Sequence, residues 1–180
     1  MPTLAGKLYT LFRICDFHFA DLDGCLRHLK PEDGGNGETT TQASRFSQSE
    51  LTQIGRDRSK VHLDMCATNA DGKVTKECDK ALRAMLTDCK ERGYQAILVT
   101  VPYLNEYNQN FPDALIHRFS QDANAYATEF DVPYLDYSHD ERFTDSPELF
   151  VDTDHLTSEG SEIFMKIVFA DAAEFYAHQD

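Results

Sequence analysis

Ala96-Ile97-Leu98-Val99-Thr100-Val101 runs without a charge and without alternation, bounded by Gly93 before it and Pro102 after it. A strand with one wet face alternates apolar and polar side chains, whereas a strand covered on both faces does not. The run is short and rich in β-branched residues, so it reads as a strand of a parallel sheet with helices on its faces. Ahead of it, Val74, Cys78, Ala81, Leu82, Met85, Leu86 and Cys89 fall three or four apart, with Lys76, Asp79, Lys80, Arg83 and Lys90 elsewhere. That spacing predicts an amphipathic helix over 74–91, stopped by Gly93. Beyond the strand, Pro112-Asp113 opens a second helix with Ala114, Leu115, Phe119, Ala123, Tyr126, Ala127 and Phe130 inward. Val132-Pro133-Tyr134-Leu135-Asp136-Tyr137 is the next strand. Helix, strand, helix, strand is the order of an α/β sheet with right-handed crossovers.

The chemistry-bearing residues follow that second strand. A polar loop over 138–148 leads to Leu149-Phe150-Val151, which delivers Asp152-Thr153-Asp154-His155. A long helix then runs from Ser158, its expected cap, to about 178, with Ile163, Phe164, Ile167, Val168, Ala170 and Phe175 inward. Histidine titrates close to neutral pH, and a carboxylate beside it can fix its tautomer and stabilise the imidazolium. Asp152 and His155 are therefore expected to be two members of an acid–base–nucleophile triad. Ligands of open parallel sheets bind beyond the carboxyl ends of the strands. The aromatic and amide loop after the first strand lies there, which makes Tyr103, Asn105 and Tyr107 candidate substrate contacts. Asp152, Asp154 and His155, with Asp136 or Asp140, could instead hold magnesium or manganese. The milder reading of Asp154 is an acid favoured near a helix start. Neither metal nor cofactor is expected.

The first third is less regular. Leu4, Leu8, Leu11, Phe12, Cys15, Phe19 and Leu22 suggest one or two amphipathic helices over 4–29. Residues 30–49 are rich in glycine, hydroxyl and amide side chains and read as a loop, longer than most connections. A short helix is expected from Ser49, a solvated face at Arg56-Asp57-Arg58-Ser59-Lys60, an extended stretch over 61–66, and a turn at Asn69-Ala70-Asp71-Gly72. The division drawn is an atypical helical and loop segment over 1–60, then the α/β part over 61–180. A net charge of −14 argues against nucleic acid as the main partner. No apolar run is long enough for a transmembrane helix, and no basic segment followed by an apolar one opens the chain as a secretory signal would. The five cysteines lack C-x-x-C spacing, so a zinc site is not expected.

Phe150-Val151-Asp152-Thr153-Asp154-His155-Leu156, with Gly160 shortly after, resembles the last sequence block of the SGNH (GDSL-type) hydrolase family: Asp-x-x-His-Leu, a small turn with glycine, and a closing helix. The preceding helix, Gly93, the Ile-Leu-Val-Thr-Val-Pro strand, the Tyr- and Asn-rich loop and Val-Pro-Tyr-Leu-Asp-Tyr are similar too. The likeness covers residues 74–178, and is nearest to the branch with teichoic-acid D-alanylation proteins. It implies a flavodoxin-like three-layer sandwich with a parallel sheet. It also implies that Asp152 orients His155, and that His155 is the general base for a serine attacking an ester or acyl carbonyl. The family's Gly-Asp-Ser type turn is absent: Ser44, Ser47, Ser49 and Ser59 are the upstream serines, and none follows an apolar strand.

The resulting expectation is an SGNH-type ester hydrolase or acyl transferase that keeps the Asp/His pair without an identifiable nucleophile serine. Its substrate would be a small-molecule or carbohydrate ester. The sheet is expected to be incomplete at its amino-terminal end, either because the chain is the later part of a longer enzyme or because it is a reduced relative. An open sheet edge calls for a cover, supplied by a second copy of the chain or by residues 4–29 folded over it. The alternative is a non-catalytic α/β domain that binds a carbohydrate or acylated partner through Tyr103 to Phe111.

Overall fold

The computed structural model describes residues 10–11, 42–68 and 73–177. Residues 30–41 of the loop expected over 30–49, the turn at 69–72, His18 and His28, and Cys15 and Cys25 lie outside them. The chain is α/β. Three strands, β1 (Thr10–Leu11), β2 (Ile97–Thr100) and β3 (Tyr134–Asp136), form a sheet in that order. Both pairings are parallel, with Thr10 opposite Ile97 and Leu98 opposite Tyr134. Strand β2 is thus the middle strand, which explains why its sequence lacks alternation.

Successive side chains of β2 point to opposite faces, and each face is packed. Ile97 and Val99 join Leu51, Leu104, Tyr137, Phe143, Phe150, Phe164 and Val168. Leu98 and the preceding Ala96 join Leu82 and Leu86, with Tyr126, Ala127 and Phe130 against them. Each fully buried aliphatic side chain contributes about 1.5–3 kcal/mol of transfer free energy.

Helix α1 is Gln48–Thr68, α2 Lys73–Glu91, α3 Asn105–Asn108, α4 Asp113–Phe130, α5 Glu141–Thr144 and α6 Ser158–Ala177. Short 3-10 turns occupy Ala43–Arg45 and Pro147–Leu149. Helices α2 and α4 and strands β2 and β3 lie where the periodicity puts them. Gly93 ends α2 at φ +68°. Asp131 ends α4 in the left-handed region, its N–H donating to Ala127 O. No helix among the described residues is long and apolar enough to cross a membrane.

Several expectations are corrected. Thr10–Leu11 is a strand within the segment read as helical. Its spacing of three and four coexists with Tyr9, Thr10, Phe12 and Ile14, residue types that favour strands. This strand pairs in parallel with one edge of β2. The stretch over 61–66 is helical, because α1 runs unbroken for 21 residues across it; a division at 60/61 would cut that helix. A capping box starts α1: Ser47 N–H donates to Glu50 Oε2 at 2.8 Å while Ser47 Oγ accepts from Glu50 N–H at 3.4 Å. The polar loops after β2 and β3 each fold a helical turn, α3 and α5.

In α6 the buried stripe is Gly160, Phe164, Val168 and Ala172, four apart. Ile163 and Phe175 are exposed instead, as is Ala170. Apolar residues surround this helix almost completely, so spacing alone does not select its inner face. Thr157, not Ser158, caps it: Thr157 Oγ1 accepts from Gly160 N–H at 3.0 Å and donates to Leu149 O at 3.2 Å.

Two glycines mark close backbone crossings. A Cβ on Gly55 would stand 2.1 Å from Glu106 O, and one on Gly160 would stand 2.2 Å from Leu149 O. Gly55 therefore sets how closely α1 lies on α3, and Gly160 how closely α6 lies on the Pro147–Leu149 turn. Gly55→Ala and Gly160→Ala should each destabilise by about 1–3 kcal/mol through overpacking against backbone, despite the better helix propensity of alanine. Urea denaturation checks this, and either variant matching the native midpoint would contradict the close approach.

Candidate active site

The segment carrying Asp152 and His155 is a pinched loop. Phe150 and Leu156 bridge antiparallel, Val151 N–H donates to His155 O at 2.7 Å, and Thr157 N–H donates to Leu149 O at 2.8 Å. Phe150, fully buried, anchors the loop in the core, and its carbonyl accepts from Ala43 N–H at 2.8 Å. Thr153 O accepts from Leu104 N–H at 3.0 Å. Leu104 lies on the chain leaving the carboxyl end of β2, so the loop is fastened at that end of the sheet.

Within the loop, Asp152 Oδ1 accepts from the N–H groups of Asp154 at 3.0 Å and His155 at 2.9 Å. An aspartate that bonds the backbone two and three residues ahead curls the chain around its own carboxylate. The curl brings the His155 ring back onto it: Nδ1 lies 2.9 Å from Asp152 Oδ2 and 3.0 Å from Oδ1. This is the physical reason that an Asp-x-x-His spacing works. With Nδ1 held by the acid, proton exchange with a reacting group falls to Nε2. The His155 side chain keeps 39 % of its surface exposed, so solvent and small molecules reach it.

A second acid and a guanidinium complete the cluster. The Asp154 side chain is entirely enclosed and receives a two-pronged bond from Arg58 of α1: Nε to Oδ1 at 2.8 Å and Nη2 to Oδ2 at 2.9 Å. Arg58 Nη2 also stands 3.5 Å from each ring nitrogen of His155, and Asp154 Oδ1 lies 3.6 Å from His155 Nδ1. The hydrogen bond to Asp152, seconded by Asp154, pushes the His155 imidazole up to about 9 against the opposing effect of burial. For Asp154, burial pushes upward. The bonds and charges of His155 and Arg58 outweigh it and hold the carboxyl well below its usual range.

The structure thus brings Asp152 and His155 together and adds Arg58, whose stretch the sequence offered as a solvated face or a site for a carboxylate, and Asp154, offered as a metal ligand or a helix-start acid. One signal for Arg58 was present: Gly55, Arg58 and His62 fall three and four apart on α1. Gly55 crosses α3, and His62 Nδ1 lies 2.5 Å from Tyr107 Oη. The three candidate substrate residues are dispersed in role. Tyr107 is buried against His62, Tyr103 and Phe111, so its ring is a packing group. Asn105 is exposed, and its Nδ2 donates to Asp145 Oδ1 at 2.7 Å. Tyr103 is half-buried, its ring centroid 4.8 Å from that of Tyr107.

Asp152, Asp154 and His155 offer donor atoms within 4.8 Å of one another. Arg58 already uses both Asp154 oxygens, so a cation would have to displace it. Asp136 accepts from Ser138 N–H, and Asp140 caps α5 and pairs with Arg142. The upstream serines make local bonds: Ser47 and Ser49 to each other, and Ser59, buried inside α1, to Arg56 O at 3.0 Å. Comparison with protein-family models, curated proteins and solved structures gives no match.

Two outcomes follow. The His155 ring should titrate near pH 9 by NMR, and Asp152→Asn should bring its midpoint down toward the ordinary 6.5. The folded-state value lies above the unfolded one, so the stability His155 contributes is full below about pH 6.5 and is lost as pH rises through about 9. Asp154 has the opposite sign: its contribution is present above its usual value of 3.8 and is lost as pH falls further. Denaturation midpoints against pH should therefore decline on both sides of this interval. In Asp152→Asn the alkaline decline should move to lower pH.

Proposed function

We propose that this chain performs acyl-ester chemistry, as an SGNH-type ester hydrolase or acyl transferase in which Asp152 orients His155 and His155 moves the proton. The observation that carries this reading is the 2.9 Å contact between Asp152 Oδ2 and His155 Nδ1, in a loop bonded to the chain beyond β2. The fold proposed with it is flavodoxin-like and three-layered. The two separate sets of side chains packed on Ile97 and Val99 and on Leu98 support it. The substrate would be an ester or acyl group on a small molecule or carbohydrate.

A general base serves only while unprotonated. With the imidazole raised to about 9, His155-dependent turnover should climb through that pH. The sequence carries no Gly-Asp-Ser type turn to supply a nucleophile serine, so simple hydrolysis of a chromogenic acetyl ester should stay near background at pH 7. The test supplies an acceptor: the same ester with hydroxylamine or a small alcohol, from pH 7 to 10, for the native chain, Asp152→Asn and His155→Ala. Acyl transfer to the acceptor should rise toward pH 9 in the native chain, at least tenfold above His155→Ala, in line with the effect of a positioned base. Equal transfer by the native chain and His155→Ala at every pH would overturn the reading. Rapid hydrolysis without acceptor, lost in His155→Ala, would keep the reading and place a nucleophile within the chain.

A further inference from the structure

Two carboxylates lie within reach of one imidazole. Asp152 contacts Nδ1 at 2.9 Å, and Asp154, entirely enclosed, lies 3.6 Å from the same atom. Two acids acting together hold the imidazolium more firmly, so the ring gives up its proton only at higher pH. Arg58 changes that balance. It engages both oxygens of Asp154 and sets Nη2 3.5 Å from each ring nitrogen. The fork geometry of a guanidinium suits this double contact, whereas an ammonium would make a point contact only.

We infer that Arg58 is a positioning residue of the site: reaching across from α1, it occupies Asp154 and leaves Asp152 as the principal acid acting on His155. Among the described residues, the charged groups facing the ring are Asp152 and Asp154 from its own loop and Arg58 from α1. The inference rests on the proposed role of His155 for its meaning in catalysis, but its test does not depend on turnover.

The sign of each change is fixed by charge. Without Arg58, the Asp154 carboxylate loses its two-pronged guanidinium bond and acts more strongly on His155, and a nearby positive charge is lost as well; both raise the ring's proton affinity. With Asp154 neutral, one acid is gone and the guanidinium is left facing the ring; both lower it. A group that only packs α1 onto the loop would do neither.

The experiment is an NMR pH titration of the His155 ring in the full chain for the native protein, Arg58→Gln, Asp154→Asn and the double variant. Opposite or like charges within about 4–6 Å shift a pKa by about 1–3 units. Arg58 is a third exposed, so a shift of about one unit is expected for each single variant, upward in Arg58→Gln and downward in Asp154→Asn. The double variant should fall between them. It removes both charges and avoids leaving one buried alone, so it serves where Arg58→Gln does not fold. In that case the inference requires its midpoint to lie above that of Asp154→Asn. Midpoints equal to native in Arg58→Gln, or a double variant level with Asp154→Asn, overturn the inference. In the acceptor assay the rising limb of Arg58→Gln should move about one unit more alkaline, with unchanged KM. A shifted ring titration with no His155-dependent transfer in any variant would uphold the inference and remove the proposed function. An unshifted ring with His155-dependent transfer would do the reverse.

Discussion

The Asp154 carboxylate has none of its side chain in contact with solvent, and everything around it is arranged so that its charge can exist there. An ionised carboxylate taken out of water loses several kcal/mol of hydration even after local relaxation. The loop holds Asp154 in that place because His155 lies beside it and a guanidinium meets it with both hydrogen bonds made. Arg58 does so from a helix remote in sequence, so α1 and the site loop have one mutual arrangement. Such a pair adds little net stability against an apolar substitute, but losing one partner leaves the other stranded. The pair therefore acts as a register pin.

That pin works because the surrounding backbone approaches closely. Gly55, one turn before Arg58, lets α1 lie against the carbonyl of Glu106, and His62, one turn after, meets Tyr107. The stripe Leu51, Gly55, Arg58 or Ser59, and His62 thus faces the chain that leaves β2. On the other side, Phe150 and Thr157 hold the loop between the core and the start of α6. Strand β2, packed on both faces, is the platform beneath both attachments. Asp152 needs none of these long-range contacts to curl the loop around itself, since its backbone bonds are local. It needs them to have that curl held at the carboxyl end of the sheet.

Different parts of this arrangement were legible in the sequence to different degrees, for physical reasons. Helices α2 and α4 and strands β2 and β3 announce themselves because one face of each helix and both faces of β2 are apolar. Asp152 and His155 were legible because their contact is local, three residues apart and bonded through the turn they create. For Arg58 only its spacing with Gly55 and His62 was legible; its pairing was not, because the partner lies 96 positions away, and a contact at that distance leaves no period in the chain. Strand β1, only two residues long, is too short to show alternation, and helix-like spacing around it prevailed. Tyr107 drew attention as an aromatic in a polar loop. It is buried against Tyr103 and Phe111 nearby and against His62, which lies on another element. The inner face of α6 stayed ambiguous because the helix is apolar nearly all round.

The chemistry of the site turns on how much its acids hold the imidazole charged. An imidazole raised to about 9 is predominantly imidazolium at neutral pH, well placed to protonate a leaving group and poorly placed to take a proton from a nucleophile. In acyl transfer through a covalent intermediate the same ring does both in turn. A raised value therefore favours one half of the cycle at the expense of the other, and the optimum lies near the working pH. Asp152 makes the shortest contacts with the ring, at Nδ1. Asp154 is needed for a different reason: it gives Arg58 an anchor and so joins α1 to the loop. Placing that anchor so close to the ring adds a second acid that raises the imidazole, and the guanidinium that uses the anchor is a positive charge standing against that effect. On the proposed reading of His155 as base, one contact thereby meets a folding requirement and a chemical one.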